Sequence, residues 1–255
     1  MKYMTAVYTD VGIKKKTNQD SALIMEAETE IGNVLMAVIC DGMGGLAKGE
    51  VASAALITAF ADWFRKDLPG IVYNGVDHQA VFNSFGNIAF DMNSRIAGYG
   101  TRCGVSLGTT VVAMLFAAGR YYIMNIGDSR AYKMSDTIYQ LTKDQSFVQR
   151  EIDMGRMTPE EAAVSSQRNV LLQCVGASEI ISPDFYSEEL VSGDCFMLCS
   201  DGFRHVVTPQ ELFERMNSQM LTDEKTMKDT LIYFTELNKN RRETDNITAL
   251  LVRVD

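Results

Sequence analysis

Two hydrophobic rhythms alternate along the chain. Short apolar runs bounded by polar residues or glycine come first, at Ser21–Glu28 ("SALIMEAE") and Asn33–Cys40 ("NVLMAVIC"), and both read as strands. From Glu50 to Arg65 the period lengthens to that of a helix. Val51, Ala55, Ala59 and Trp63 fall on one stripe, with Ala52, Leu56 and Phe60 beside it. A second helix fits about Asp77 to Ala97, with Val81, Phe85, Ile88, Met92 and Ile96 on one face. The run "TTVVAMLFAAGRYYIMNIGDSRAYKM", from Thr109 to Met134, returns to strands: two buried ones turning at Gly119, then a third after a turn at Gly127–Asp128. "TPEE" at Thr158–Glu161 and "TPQE" at Thr208–Glu211 share one helix-start signature. Each has a threonine cap, proline at the first helical position and glutamate three after the cap. The second precedes a helix near Pro209–Asn217, and another follows near Glu224–Leu237. "DCFMLCS" and "NITALLVRV" close the series as strands.

Strands grouped apart from paired helices predict a layered α+β fold rather than a regular βαβ alternation. Without an internal repeat, a low-complexity segment or a convincing linker, residues 1–255 are expected to form a single domain. Hydrophobic residues make up 46% of the chain, enough for a real core. The net charge of -9 disfavours nucleic acid as a partner, because such binders need a basic surface to displace counterions. The start "MKYMTAVYTDVG" has no apolar h-region, and no run of 18 apolar residues occurs, so neither a signal peptide nor a membrane span is expected. The 5 cysteines form no CxxC pair and are expected to be buried reduced thiols of a cytoplasmic protein.

The candidate chemistry lies in aspartates. Asp41 follows "VLMAVIC" and precedes Gly42; Asp201 follows "CFMLCS" and precedes Gly202; Asp128 follows "YYIMNIG" and precedes Ser129–Arg130. Asp20 and Asp245 do the converse and lie just before a strand. Taken singly, a "DG" is a turn. Taken together, each sits where a buried strand meets a loop, and strand ends in a layered fold can converge on one edge. Carboxylates that close repel and raise one another's pKa, a conflict that hard divalent cations with oxygen ligands, Mg²⁺ or Mn²⁺, remove. With 2 histidines and no HExxH pattern, a zinc enzyme of that kind is disfavoured.

The ordered set "TDVGIKKKTNQDS", "VICDGMGG", "LGTTVVAMLF", "MNIGDSRAY", "LTKDQSFVQREIDMGRMTPEEA", "RNVLLQCVGAS", "GDCFMLCSDGF" and "DNITALLV" resembles the metal-dependent serine/threonine protein phosphatases of type 2C, the PPM family, in their compact bacterial form. The resemblance implies a four-layer α-β-β-α sandwich, two antiparallel sheets flanked by helix pairs. It implies a site at one end of the sandwich holding two ions, Mn²⁺ or Mg²⁺, and a third weaker one. Carried over, Asp41 bridges two ions, the Gly42 carbonyl ligates one, Asp201 and Asp245 complete the other, and Asp20 holds metal-bound water. Asp128 with Asp201 matches the position of the third ion. Gly44 and Gly45 would keep the approach of the phosphate open. The implied reaction is hydrolysis of phosphoserine or phosphothreonine by in-line attack of a water bridging the ions. The implied partners are phosphorylated proteins, a bacterial Ser/Thr kinase among them, and the implied state is a monomer. Residues from about Gln145 to Arg168 resemble the family's flap, expected to help choose substrate.

The chain departs from the family at three places. Lys15, flanked by Lys14 and Lys16, stands where an arginine often binds the phosphate; lysine supplies charge without the bidentate fork. Gln19 stands where an acidic residue is frequent, and Met43 where many eukaryotic members place a histidine acid. His205 is expected to be a polar loop residue, and Ser129 and Arg130 to brace the Asp128 turn. The alternative to an enzyme is a weak or inactive relative serving as a phosphoprotein-binding or regulatory module.

Overall fold

The computed structural model describes residues 1–43 and 48–255. In chain order its strands are β1 (Tyr3–Asp10), β2 (Asp20–Thr29), β3 (Gly32–Met43), β4 (Gly108–Thr109), β5 (Val111–Ala117), β6 (Arg120–Ile126), β7 (Arg130–Met134), β8 (Ile138–Gln140), β9 (Asp184–Glu189), β10 (Cys195–Cys199) and β11 (Ile247–Val254). Its helices are α1 (Gly49–Lys66), α2 (Leu68–Tyr73), α3 (His78–Cys103), α4 (Phe147–Asp153), α5 (Pro159–Val164), α6 (Asp201–Arg204), α7 (Pro209–Met216) and α8 (Glu224–Asn240). One antiparallel sheet runs β1-β11-β10-β7-β8, the other β2-β3-β5-β6-β9, with β4 appended to β3.

Three apolar cores separate four layers. β3 shows why, since it is buried on both faces. Val34, Met36, Val38 and Cys40 pack with Leu56 and Phe60 of α1 and Phe85 of α3. The intervening Leu35, Ala37 and Ile39 meet Phe196, Leu198, Leu250 and Val252 of the opposite sheet. The period of two thus feeds two cores from one strand. The third core joins β10 and β11 to α7 and α8 through Met197, Leu212, Leu231 and Phe234. Each large apolar side chain so enclosed contributes about 1.5–3 kcal/mol. The α-β-β-α sandwich implied by the motifs is therefore the observed architecture.

Three local expectations shift. The buried stripe of α1 runs through Ala52, Leu56, Phe60 and Trp63, whereas Val51, Ala55 and Ala59 are only partly buried. α3 continues past Ala97 to Cys103. Gly100 lets its last turn lie close to the Val105 carbonyl, and Gly104, with φ 66°, ends the helix in the left-handed conformation. The cysteines are unpaired as expected, but Cys103 is exposed while the other four are buried.

Both threonine-proline starts form complete capping boxes. In the second, Glu211 accepts from the Thr208 N–H at 2.8 Å and from Arg241 Nη1 at 3.0 Å. Arg241 and the Thr208 amide hold the Glu211 carboxyl down from 4.5 to about 2. A depressed carboxyl stabilises the fold above its unfolded pKa and loses that contribution as pH falls through the folded value. Glu211→Gln is therefore expected to lower Tm at pH 7, and the gap to the unaltered protein to close between about pH 4.5 and 2. Paired thermal melts across that range check it.

Candidate metal centre

β2 and β3 pair so that Asp20 lies opposite Asp41. A slip of one residue would turn both to the wrong face, and the two buried faces of β3 forbid it. Asp41–Gly42 is not the turn that a "DG" taken singly suggests. The chain stays extended to Met43, with Gly42 opposite Thr109 and Met43 opposite Gly108. The Asp41 N–H donates to Thr110 Oγ1 at 3.1 Å, and the Asp41 carbonyl accepts from Thr110 N and Thr109 Oγ1. Gly42 is required sterically, because a Cβ there would collide with the Gly49 carbonyl and stand 2.5 Å from that of Gln19. The second "DG" begins α6 instead of turning. Gly202 lets that helix start press on the Asn246 carbonyl, beside Asp245.

These elements bring Asp41, Gly42, Asp128, Asp201 and Asp245 to one cavity of about 240 Å³, shared with Lys15, Gln19, Met43, Asn169 and Leu171. Asp20, opposite Asp41 on the ladder, is not among the residues that line this cavity, and Ser200 Oγ donates to its Oδ2 at 2.9 Å. Gly44 and Gly45 fall outside the described residues. Lys15 reaches in from the loop before β2 and pairs with Asp245 Oδ1 at 2.7 Å. Gln19 donates to Glu50 Oε2 at 3.4 Å, and its N–H donates to Asn246 Oδ1. Met43 lines the cavity with no proton to give.

The carboxylates of the cavity press on one another. Burial pushes Asp41 well above the usual carboxylate range, and the charges of Asp20, Asp201, Asp128 and Asp245 push it further. Burial raises Asp20 to about 7; the Thr248 and Ser200 hydrogen bonds pull it back, and Asp201 and Asp245 oppose them. Asp128 also rises to about 7, through burial and Asp201, with Arg204 acting against the shift. Burial works to lower Lys15, but the hydrogen bond and charge of Asp245, with Asp41 and Asp201, raise it, so the ammonium persists. Among the described residues Asp201 Oδ1 is buried with no hydrogen-bond partner. An orphaned carboxylate oxygen among mutually repelling carboxylates fits hard divalent cations. Among the described residues no three such side chains meet as one closed ligand cluster. They line a shared wall instead.

Supporting residues hold these loops, some expected from the sequence, Ser129 and Arg130, and others not, Arg204, Asp144 and Glu243. Arg130 grips Asp144 with bonds of 2.7 and 2.8 Å, so it braces the turn through a carboxylate 14 residues away. Ser129 shares a 2.7 Å hydrogen bond with Thr110. Arg204 contacts both Asp128 and Asp144. His205, expected in a polar loop, caps α6 and lies between Asp201 Oδ2 at 3.5 Å and Glu243 Oε2 at 3.4 Å. Glu243 in turn accepts from the N–H groups of Thr244 and Asp245, shaping the loop that presents Asp245. The other histidine, His78, packs edge-on against Tyr122, away from these groups.

The family model described as protein phosphatase 2C matches residues 13–251. Serine/threonine protein phosphatase PstP of Mycobacterium tuberculosis is 34% identical over 213 residues, covering 83% of this chain. The chain spans 38% of that relative's length. Protein phosphatase PhpP of Streptococcus pneumoniae is 30% identical over 253 residues, 98% of this chain and 97% of its own. The crystal structure of the M. tuberculosis phosphatase PstP/Ppp superposes with TM-score 0.83 at 31% identity, covering 99% of each chain. A structure of the PstP catalytic domain in complex with two manganese ions gives TM-score 0.80 at 30% identity, again covering 99% of each chain.

Proposed function

Because the chain belongs to the protein phosphatase 2C family, we propose that it is a metal-dependent phosphatase of phosphoserine and phosphothreonine in proteins. The observation that carries the reading is the cavity wall of Asp41, Asp201 and Asp245, with an orphaned oxygen on Asp201. In this reading Asp41, the Gly42 carbonyl, Asp201 and Asp245 hold two ions, Mn²⁺ or Mg²⁺. When bound, such ions supply an activated water and neutralise charge on the phosphoryl oxygens.

The chain's own groups do the rest. Thr109 and Thr110 fix the Asp41 backbone, and the Asp20–Asp41 register sets the spacing of the first two carboxylates. Asp20, held by Ser200 and paired across the ladder with Asp41, is the acceptor that orients water. Glu243 and His205 fix the Asp245 and Asp201 arms. Lys15, protonated and lining the cavity, is the phosphate-binding cation. Its partner Asp245 ties it down until a phosphate offers a competing anion.

Phosphorylated proteins are the proposed substrates, a Ser/Thr kinase among them, and the proposed setting is bacterial signalling in the cytoplasm. Among the described residues no helix is long and apolar enough to cross a membrane. A phosphoprotein-binding module would not need this set of carboxylates around one cavity, which supports the enzyme reading over it.

Turnover of a phosphothreonine peptide with Mn²⁺, and its loss on chelation, is the test. A folded, Mn²⁺-binding protein that releases no phosphate would sink the proposal. In the same assay Lys15→Ala is expected to raise KM for the peptide about tenfold or more, the loss of one charge-assisted hydrogen bond. An unchanged KM would remove Lys15 from the phosphate site.

A further inference from the structure

Asp128 has a partner that the motif order does not announce. Its Oδ2 lies 3.6 Å from Nη2 of Arg204, and the same nitrogen donates to the Asp128 carbonyl at 3.0 Å and to Asp144 Oδ2 at 3.2 Å. The Arg204 side chain is 11% exposed. It belongs to α6, the same short helix that opens with Asp201, so one turn of chain delivers a carboxylate and a cation to neighbouring points. Its aim is fixed from behind, because Asp144 is also gripped by both forks of Arg130. A guanidinium keeps its proton in proteins, so this charge is permanent.

A third divalent ion shared by Asp128 and Asp201 would bind about 2.1 Å from a carboxylate oxygen. That places it within roughly 6 Å of the Arg204 guanidinium, a range at which a double and a single positive charge repel strongly even in an effective dielectric of about 20. Arg204 could yield only by abandoning Asp128 and Asp144, which would leave its own buried charge without a partner. We propose that in this chain the Arg204 guanidinium takes the place of the third cation, neutralising Asp128 and leaving a centre of two ions. The inference rests on the two-ion reading above and changes Asp128 from a ligand into an ion-pair partner. Arg204 is thereby a positioning residue that sets how many ions the site accepts.

Manganese binding by the full chain, measured by equilibrium dialysis to millimolar Mn²⁺, tests this without an activity readout. The unaltered protein and Asp128→Asn are expected to bind two ions each. Arg204→Met keeps much of the volume and removes the charge, and is expected to acquire a third ion at least about a hundredfold more tightly than any weak binding by the unaltered protein. An ion lost on Asp128→Asn overturns the proposal, as does a folded Arg204→Met that still binds two. If Arg204→Met does not fold, the comparison of the unaltered protein with Asp128→Asn decides alone. Asp41→Asn is the separate control: undiminished binding there refutes the two-ion reading itself, whatever Asp128 does.

Discussion

Asp41→Asn is expected to reduce Mn²⁺-dependent turnover of a phosphothreonine peptide by at least about a thousandfold, the upper end of what one preorganised electrostatic group contributes in such sites. The fold should survive, because the amide keeps the shape of the carboxylate and the Asp41 backbone bonds to Thr109 and Thr110 involve no side-chain atom of residue 41. Ion-free protein should melt no lower, and at neutral pH higher. The sign follows from the raised pKa: burial and four neighbouring aspartates disfavour the Asp41 charge. A carboxyl raised in the folded state costs stability where it must ionise and costs nothing once pH falls below its ordinary value of 3.8. The stability gain of asparagine in chelator should thus be present at pH 7 and fade toward pH 4. Kinetics with Mn²⁺ and melts in chelator measure the two halves separately. Full activity in a folded Asp41→Asn protein would refute the site assignment.

Asp144→Asn is expected to give the largest loss of stability. Asp144 is buried and receives Arg130 through both forks and Arg204 through one bond. Burial alone would raise its carboxyl; Arg204 and Arg130 outweigh that and hold it below the usual range. Removing the anion leaves two guanidiniums in the interior without their shared partner. Breaking a buried pair in this way costs about 3–5 kcal/mol. For a chain of this size that lowers Tm by roughly 10 °C. Denaturant unfolding of the two proteins checks the value, and a loss under 1 kcal/mol would mean that solvent reaches the cluster.

The residues at strand ends were legible in the sequence because each aspartate is announced by its own neighbours, an apolar run on one side and polar or glycine residues on the other. Asp41, Asp128, Asp201 and Asp245 do converge. Arg204, Asp144 and Glu243 were not legible, because their meaning lies in partners that no local pattern links: Arg204 and Asp144 are 60 positions apart. The turn that each "DG" taken singly suggests does not form, for a related reason. Aspartate and glycine favour turns locally, but ladder pairing with β4 and the start of α6 override that preference. The stripe of α1 shifted because Ser53 is drawn inward by a 2.6 Å bond to the Gln19 carbonyl, which favours the Ala52 side of the helix. β1 was missed because it is an edge strand whose residues are mostly half-exposed, so its alternation is faint.

The two sheets draw on very different reaches of chain. One is complete between Asp20 and Glu189, whereas the other holds β1 against β11, pairing Tyr3 with Val254. During synthesis the first can therefore assemble while the second still waits for β10 and β11. Closing the longer loop also costs more entropy, although the increase grows only slowly with length. The apolar face of β3 and β5 is the surface left waiting, and in refolding their amides are expected to gain protection from hydrogen exchange before those of β10 and β11. Simultaneous protection would contradict this order. Asp20 and Asp41 would then be neighbours well before Asp201 and Asp245 join them, so the charge of the centre accumulates last, when the surrounding layers are already in place to hold it.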